Sequence, residues 1–106
     1  MRRAAANGVS LLALTDHDGL GGLSRARETA NEFGMRFING VEISIEWGGA
    51  QVHLLGYNFD ATAPGLNAGL ESIHDGRVVR ARQMSEALEK IGIGGCLEGA
   101  MRFAED

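Results

Sequence analysis

An apolar run that ends in a cluster of ionisable side chains constrains the fold of this sequence more than any other feature. Residues 9–14 are apolar except for Ser10, and Thr15-Asp16-His17-Asp18-Gly19 follows them directly. Short apolar runs of this kind are typical of buried strands in parallel sheets. The polar cluster therefore stands at the carboxyl end of a predicted strand, where α/β folds place their active sites.

A helix and a second strand are predicted directly after this segment. Phe37-Ile38 leads into Val41–Trp47, where apolar and polar residues alternate as they do in a strand with two unlike faces. Strand, helix and strand form a βαβ unit, so the sequence predicts an α/β fold with a parallel sheet. Gly34 ends the predicted helix. The helix itself is predicted from four apolar residues at steps of three and four: Leu23, Ala26, Ala30 and Phe33.

The second half of the sequence predicts a β-hairpin and then a mostly helical segment. Gly48-Gly49 is a turn signal between Val41–Trp47 and a further strand at Gln51–Tyr57. Pro64 begins a long helix, and residues 96–105 can form another short one. We therefore predict a boundary between residues 1–63 and residues 64–106. The long helix carries one stripe at helical spacing: Leu66, Leu70, Ile73, Arg77, Ala81, Met84, Leu88 and Ile91.

Composition excludes several classes of protein. The chain has 106 residues, which suffice for one compact domain, and its formal net charge is −4 with a pI near 5.3. This acidic balance argues against a general grip on nucleic acid or on an anionic membrane. No stretch approaches the roughly 18 apolar residues of a transmembrane helix. The single cysteine, Cys96, excludes an intrachain disulfide and fits a reducing compartment, so we expect a cytoplasmic protein.

Three segments supply candidate site residues, and each has a plainer explanation. Asp16 and His17 stand in a polar cluster that could be an exposed turn. Glu42 follows Gly40, which permits close approach of a neighbouring strand, yet it could belong to the wet face of the hairpin. His53 lies in an apolar strand, where a lone histidine is usually a core residue. Taken together, carboxylates and imidazoles from the ends of successive strands are ligands that Zn²⁺, Mn²⁺ or Fe²⁺ accepts.

Three arginines on the predicted long helix form a second candidate cluster. Guanidinium groups match phosphate oxygens in a forked geometry, so Arg77, Arg80 and Arg82 could face a phosphate. The alternative is a solvated helix face. Arg77 lies on the apolar stripe, which makes it the best placed of the three to point inward.

Four short motifs follow one another along the chain. They are Leu14-Thr15-Asp16-His17-Asp18, Gly21-Gly22-Leu23, Asn39-Gly40-Val41-Glu42-Ile43-Ser44 and His53-Leu54-Leu55-Gly56. In this order they resemble the PHP (polymerase and histidinol phosphatase) domain. The match is closest to the branch of PHP phosphoesterases that act on RNA ends and nucleoside 3′,5′-bisphosphates. Residues 76–82, 88–89 and 95–102 resemble the helical insertion of that branch, so the resemblance covers essentially the whole chain.

The resemblance implies a fold, a reaction and a role for each candidate residue. The fold is a distorted (β/α)7 TIM-like barrel with a trinuclear metal centre, at which a metal-activated water attacks a phosphoester. His17 and His53 match metal ligands, Glu42 matches the carboxylate that bridges two metals, and Asp16 would orient or assist. The metal expected first is Mn²⁺, with Fe²⁺ or Zn²⁺ as alternatives. The substrate would be a small phosphorylated nucleotide or an RNA 5′ end.

The chain also departs from the family. Family members open with a strand that carries Asp-Leu-His-x-His, and they end with further strands that carry the remaining ligands. Neither part is present in the 106 residues. We therefore expect an internal fragment: residues 1–63 as a partial PHP barrel without its first strand, and residues 64–106 as an incomplete helical insertion. By itself the fragment is expected to be inactive or nearly so.

Two other functions stay open at this point. The chain could be a non-catalytic remnant that dimerises or binds a partner through an exposed strand edge and apolar stripe. It could also be an amidohydrolase-like metal hydrolase acting on C–N bonds, which shares the barrel and the metal ligands. The arginines and the helical insertion favour a phosphate substrate over that alternative.

Overall fold

The computed structural model describes residues 1–104, and the predicted extension of the last helix to Glu105 lies outside them. The chain divides into one unit at Met1–Leu70 and a second that begins at Glu71. The predicted boundary before Pro64, between barrel and helical insertion, stays a prediction. Within the described residues the elements are α1 (Arg2–Ala6), β1 (Leu11–Leu14), α2 (Leu23–Glu32), β2 (Arg36–Trp47), β3 (Ala50–Tyr57), α3 (Pro64–Glu89) and α4 (Cys96–Met101).

The three strands form one mixed sheet in the order β1-β2-β3. β1 lies parallel to the first third of β2, with Leu14 opposite Asn39. The rest of β2 pairs antiparallel with β3, from Gly40 opposite Tyr57 to the turn at residues 48–49. The predicted α/β class, βαβ unit and hairpin are thus confirmed. Over residues 1–104 the sheet is open, so the predicted barrel stays a prediction.

Gly40 allows β1 and β2 to approach closely where the sheet changes from parallel to antiparallel pairing. A Cβ on this residue would lie 2.5 Å from the Leu14 carbonyl oxygen and 2.8 Å from Cγ2 of Thr15. Contacts this short do not occur between real side-chain carbons and backbone oxygens, so a larger residue would push the two strands apart. The close approach brings the loop after β1 against β2.

The core of the first unit lies between α2 and the sheet. Three residues of the predicted helical face are buried: Leu23, Ala26 and Ala30. Met35 and Phe37 complete this core cluster. The fourth predicted residue, Phe33, is exposed, so that part of the prediction was wrong. α2 ends at Glu32, and Phe33 follows as its C-cap with a ψ of 7°, outside the helical range.

Much of the stripe on α3 is exposed. Leu70 is buried, whereas Met84 is 62% exposed, and Ile91, just beyond the helix, is 72% exposed. The spacing therefore identified residues on one helical face but not the degree of their burial. Among the described residues, no helix is both long enough and apolar enough to cross a lipid bilayer.

Candidate metal centre

The loop after β1 continues the strand register and places His17 beside Glu42. Leu14 pairs with Asn39, and His17 pairs with Glu42 at the same offset along the chain. The backbone of Glu42 makes both hydrogen bonds of this bridge. Its N–H donates to the carbonyl of Asp16 at 3.1 Å, and its carbonyl accepts from the N–H of Asp18 at 2.8 Å. His17 is therefore fixed opposite Glu42 through both of its neighbours.

The hairpin register brings His53 to the same face of the sheet. Ser44 lies directly opposite His53 in the antiparallel pair. Opposite residues of a strand pair share a face, and so do alternate residues of one strand. His53 therefore shares a face with Ser44 and with Glu42, two residues before it.

Two imidazoles converge on one carboxylate oxygen at this face. Nε2 of His17 lies 3.3 Å from Oε1 of Glu42, and Nδ1 of His53 lies 2.9 Å from the same atom. The imidazole rings meet edge to face, with centroids 4.5 Å apart and planes at 87°. Glu42 is 27% exposed, and the two histidines are 42% and 45% exposed, so solvent ions reach all three side chains.

The donor set fits a divalent transition metal. One ligand atom from each of His17, Glu42 and His53 lies within 4.8 Å of the others. A metal with bonds of about 2.1 Å spaces adjacent ligand atoms roughly 3 to 3.4 Å apart, and the two histidine–glutamate distances of 3.3 and 2.9 Å are close to this range. Two nitrogens and one carboxylate oxygen, with no thiolate, suit Zn²⁺, Mn²⁺ or Fe²⁺. Within residues 1–104 the side chain of His53 is exposed and does not belong to the core of the first unit.

The structure brings together only part of the predicted site. Asp16 is exposed, and its recorded contact with Glu42 is made by its backbone carbonyl, so a catalytic role for its carboxylate stays a prediction. Arg77 and Arg82 lie on α3 in the second unit. Arg82 lines a groove of about 310 Å³ that three carboxylates also line: Glu86, Glu89 and Glu98. Substrate contacts by the two arginines likewise stay a prediction.

Asp18 and Asn39 support the site, and the sequence analysis assigned neither of them a role. Asp18 was placed there in the polar cluster and given no role of its own, and the structure shows that it is only 8% exposed. Its Oδ1 accepts a hydrogen bond from the N–H of Ser44 at 2.6 Å, and its Oδ2 accepts one from the Ser44 hydroxyl at 2.8 Å. The available signal was the register, because extending the pairing of β1 with β2 past the last strand residue places Asp18 beside β2.

Asn39 supports the site from the near end of the β1–β2 pair, three residues before Glu42. Its side-chain oxygen accepts a hydrogen bond from Nη2 of Arg27 at 2.6 Å, and its Nδ2 donates to the carbonyl of Phe59 at 2.8 Å. The Asn39 carbonyl also accepts from the N–H of Asn58 at 2.8 Å. Asn39 thereby ties α2 and the chain after β3 to the strand that carries Glu42.

The chain is similar to curated proteins that are named as enzymes of phosphate-ester cleavage. It is 52% identical over 104 residues to a 3′,5′-nucleoside bisphosphate phosphatase of Chromobacterium violaceum, covering 98% of this chain and 36% of that protein. It is 43% identical over 105 residues to a 5′-3′ exoribonuclease of Haemophilus influenzae, covering 99% and 38%. The chain thus spans little more than a third of the length of these relatives. No family model matches it.

Solved structures share the fold of the chain. One, described as an amidohydrolase from Chromobacterium violaceum with bound sulfate and no metal, superposes with a TM-score of 0.86 at 51% identity. It is matched over 99% of this chain and 37% of its own. Another, from Bifidobacterium adolescentis, is described as a proposed metal-dependent phosphoesterase. It has a TM-score of 0.76 at 26% identity, over 84% of this chain and 31% of its own.

Proposed function

We propose that this chain is part of a PHP-type, metal-dependent phosphoesterase and that it supplies three ligands of the metal centre. The observation that carries the proposal is the convergence of His17 and His53 on one carboxylate oxygen of Glu42. The names of the relatives, a phosphatase and an exoribonuclease, support phosphoester cleavage. The description of a structural neighbour as a proposed metal-dependent phosphoesterase supports the use of a metal.

Each residue has a distinct part in the proposed centre. The two imidazoles supply neutral nitrogen ligands, and Glu42 supplies the negative charge that favours a cation between them. Because the bridging role of Glu42 rests on the resemblance, it is part of the proposal. A divalent cation held there supplies positive charge to phosphate oxygens and lowers the pKa of a coordinated water. Asp16, whose carbonyl holds the backbone of Glu42, is proposed to orient or assist the attacking water through its carboxylate.

The proposed metal and location follow from the donor set and the composition. Mn²⁺ is the metal we expect, and Fe²⁺ and Zn²⁺ accept the same ligands. A single cysteine fits a reducing compartment, which supports a cytoplasmic protein.

The proposed substrate is a nucleoside 3′,5′-bisphosphate or the phosphorylated 5′ end of an RNA. Both classes appear in the names of the relatives. Arg77 and Arg82 are proposed to contact phosphate oxygens, because a guanidinium fork binds them in a bidentate way. The three carboxylates in the groove beside Arg82 oppose an anion there, so Arg77 is the stronger candidate of the two.

We further propose that the 106 residues act as part of a longer protein. They correspond to little more than a third of each relative, and three ligands do not complete a centre that holds several metals. In this proposal residues 1–63 belong to a barrel and residues 64–106 to a helical insertion. The isolated chain is then expected to have little or no activity.

The test uses the protein expressed from its gene with any coding sequence that flanks the 106 residues. We expect Mn²⁺-stimulated release of phosphate from a nucleoside 3′,5′-bisphosphate, together with bound metal measured by mass spectrometry. Glu42→Gln keeps the size of the side chain and removes its charge, and we expect it to lower turnover at least about 100-fold, beyond the range that partners of a ligand typically show. Glu46→Gln, on the same strand face and outside the cluster, is the matched control.

Two results would contradict the proposal. One is a folded protein that is inert on bisphosphates and on 5′-phosphorylated RNA with each of Mn²⁺, Fe²⁺ and Zn²⁺. The other is equal loss of turnover in the Glu42→Gln and Glu46→Gln proteins. Full activity of the isolated 106-residue chain would overturn only the proposal that it needs further chain.

A second candidate function is hydrolysis of a C–N bond. The description of one structural neighbour as an amidohydrolase favours it. The names of the curated relatives, a phosphatase and an exoribonuclease, favour the phosphoesterase instead. Assay of the same protein on a panel of cyclic and acyclic amides distinguishes the two, because amide cleavage without phosphate release would replace the first proposal.

A further inference from the structure

Asp18 stands where the parallel pairing with β2 ends. In a parallel ladder the next hydrogen bond after the His17–Glu42 bridge would run from the N–H of Ser44 to the carbonyl of Asp18. The chain instead turns away at Asp18, whose φ is 52°. This left-handed conformation is uncommon for a residue other than glycine, although asparagine and aspartate tolerate it best.

The carboxylate of Asp18 takes the place of the lost backbone acceptor. Its Oδ1 receives the N–H of Ser44 at 2.6 Å, and its Oδ2 receives the hydroxyl of the same residue at 2.8 Å. With the bond from its own N–H to the Glu42 carbonyl, Asp18 holds β2 at two successive points directly after the Glu42 side chain, and the Asp16 carbonyl holds the Glu42 N–H before it. Ser44 is also the residue opposite His53. The contacts of Asp18 therefore join the loop of one histidine to the strand position that faces the other.

We infer that Asp18 is a positioning residue of the metal centre. Its carboxylate holds the loop of His17 and the strand of Glu42 in register. This inference rests on the proposed metal site. The cluster of ligand atoms comprises His17, Glu42 and His53 and does not include Asp18. The role inferred for Asp18 is carried by its hydrogen bonds to Ser44 and to the Glu42 backbone. Residues that orient ligands typically change metal affinity about 10- to 100-fold when replaced.

Two substitutions of Asp18 separate this role from general stabilisation. Asp18→Asn keeps an acceptor for the Ser44 N–H, tolerates the left-handed backbone and removes the charge. Asp18→Gly tolerates the same backbone and removes the acceptor. The Kd for Mn²⁺ is measured from the electron paramagnetic resonance signal of the free ion. We expect it to rise less than about 3-fold in the Asp18→Asn protein and about 10-fold or more in the Asp18→Gly protein.

Amide hydrogen exchange gives a second readout that needs no metal. We expect the Ser44 amide to exchange at least about 10-fold faster in the Asp18→Gly protein, while the amide of Ala30 in the core is unchanged. A purely structural role would accelerate both amides together. If Asp18→Gly does not fold, Ser44→Ala keeps the test open, since it removes only the hydroxyl bond. We expect that variant to weaken Mn²⁺ binding about 2- to 5-fold, below the range for loss of the whole contact.

The outcomes separate this role from the proposed function. A wild-type protein that binds no Mn²⁺ overturns the metal site and, with it, the role of Asp18. Wild-type binding with an unchanged Kd in the Asp18→Gly protein overturns the positioning role alone. An Asp18→Asn protein as weak as Asp18→Gly overturns it too, because the charge rather than the hydrogen-bonded register would then hold the metal.

Discussion

Glu42 is the residue on which the candidate site depends, because its carboxylate oxygen is the atom that both imidazoles approach. His53 reaches it across the hairpin at 2.9 Å, and His17 reaches it across the parallel pair at 3.3 Å. Each histidine therefore depends on a different pair of strands. Substitution of one histidine leaves intact the strand pairing that carries the other, so the two contributions can be measured separately.

Removal of His53 tests the metal site with little risk to the fold. Because nearly half of its side chain is exposed, we expect His53→Ala to change the free energy of unfolding by no more than about 0.5 kcal/mol. We expect the same change to raise the Kd for Mn²⁺ at least about 10-fold, since one of three ligands is lost. Isothermal titration checks this, with His74→Ala, an exposed position on α3, as control. Equal Kd values for the two variants would contradict the assignment.

Gly40 sets the distance between the two strands that carry the ligands. A Cβ there would lie 2.5 Å from the Leu14 carbonyl oxygen, so we expect Gly40→Ala to destabilise the fold by about 1–3 kcal/mol. The displaced β1 would also separate His17 from Glu42 and weaken Mn²⁺ binding. Urea unfolding and metal titration measure the two effects.

The control for this change is Gly76→Ala on α3, where an added Cβ has no neighbour within 4 Å. A helical glycine costs about 0.5–1 kcal/mol relative to alanine, so this variant is expected to gain stability. An equal effect of the two substitutions would show that Gly40 is not needed for close approach.

At the scale of elements, local signals predicted the boundaries well. Gly34 follows the end of α2 with a φ of 67°, and the turn of the hairpin lies at the predicted glycine pair. Such positions are recognisable because the requirement for a left-handed backbone is local. The three metal-ligand candidates were also found, although the family resemblance was needed to raise Glu42 and His53 above their plainer explanations.

The features that the sequence did not reveal depend on residues far apart in the chain. The contact between Asp18 and Ser44 joins positions 26 residues apart and depends on the register of two strands. Burial along α3 depends on what covers the helix, which spacing cannot supply. Phe33 was misplaced because its helix ends one residue earlier than the apolar spacing indicates.

The loop before α3 contains a carboxylate that links stability to pH. Oδ1 of Asp60 accepts hydrogen bonds from the N–H and the hydroxyl of Thr62, at 2.8 and 2.7 Å. The side-chain bond, and then the backbone bond, hold the pKa of Asp60 below its usual value of 3.8. A group whose pKa is lowered on folding stabilises the native state above its ordinary pKa, and this contribution is lost as the pH falls through the folded value.

We therefore expect Asp60→Asn to lower the urea midpoint at neutral pH, because amide oxygens accept more weakly than carboxylates. The difference from the wild type should shrink as the pH falls below the ordinary value of 3.8. Urea titrations across this range measure it. A difference that stays constant with pH would show that the charge of Asp60 contributes nothing.

At the scale of the whole molecule, β3, one of the two outer strands of the sheet, is apolar and accessible. Within the described residues β3 pairs only with β2, and four of its apolar residues are exposed: Val52, Leu54, Leu55 and Tyr57. An accessible strand edge with apolar side chains is a template for pairing with another chain. The exposed apolar side chains of β3 support the alternative in which the chain binds a partner or a second copy of itself.

We expect the isolated 106-residue chain to self-associate with rising concentration, as measured by sedimentation velocity. Leu54 lies opposite Ile43 and hence on the sheet face away from the ligands, so Leu54→Lys should reduce association without changing metal binding. Ile91→Lys introduces the same charge at an exposed site of the second unit. Association that falls equally in both variants would contradict a role for β3.

β2 pairs with β1 on one side and with β3 on the other. The two histidines are therefore expected to reach Glu42 in a definite order during folding. His53 and Glu42 are 11 residues apart and meet through a hairpin, whereas Asp18 and Ser44 are 26 residues apart and meet only after α2 has formed its crossover. Each doubling of a closed loop costs about 0.6 kcal/mol of chain entropy, so we expect the hairpin to close first when the whole chain refolds. His53 would then reach Glu42 before His17 does, although His17 comes earlier in the sequence.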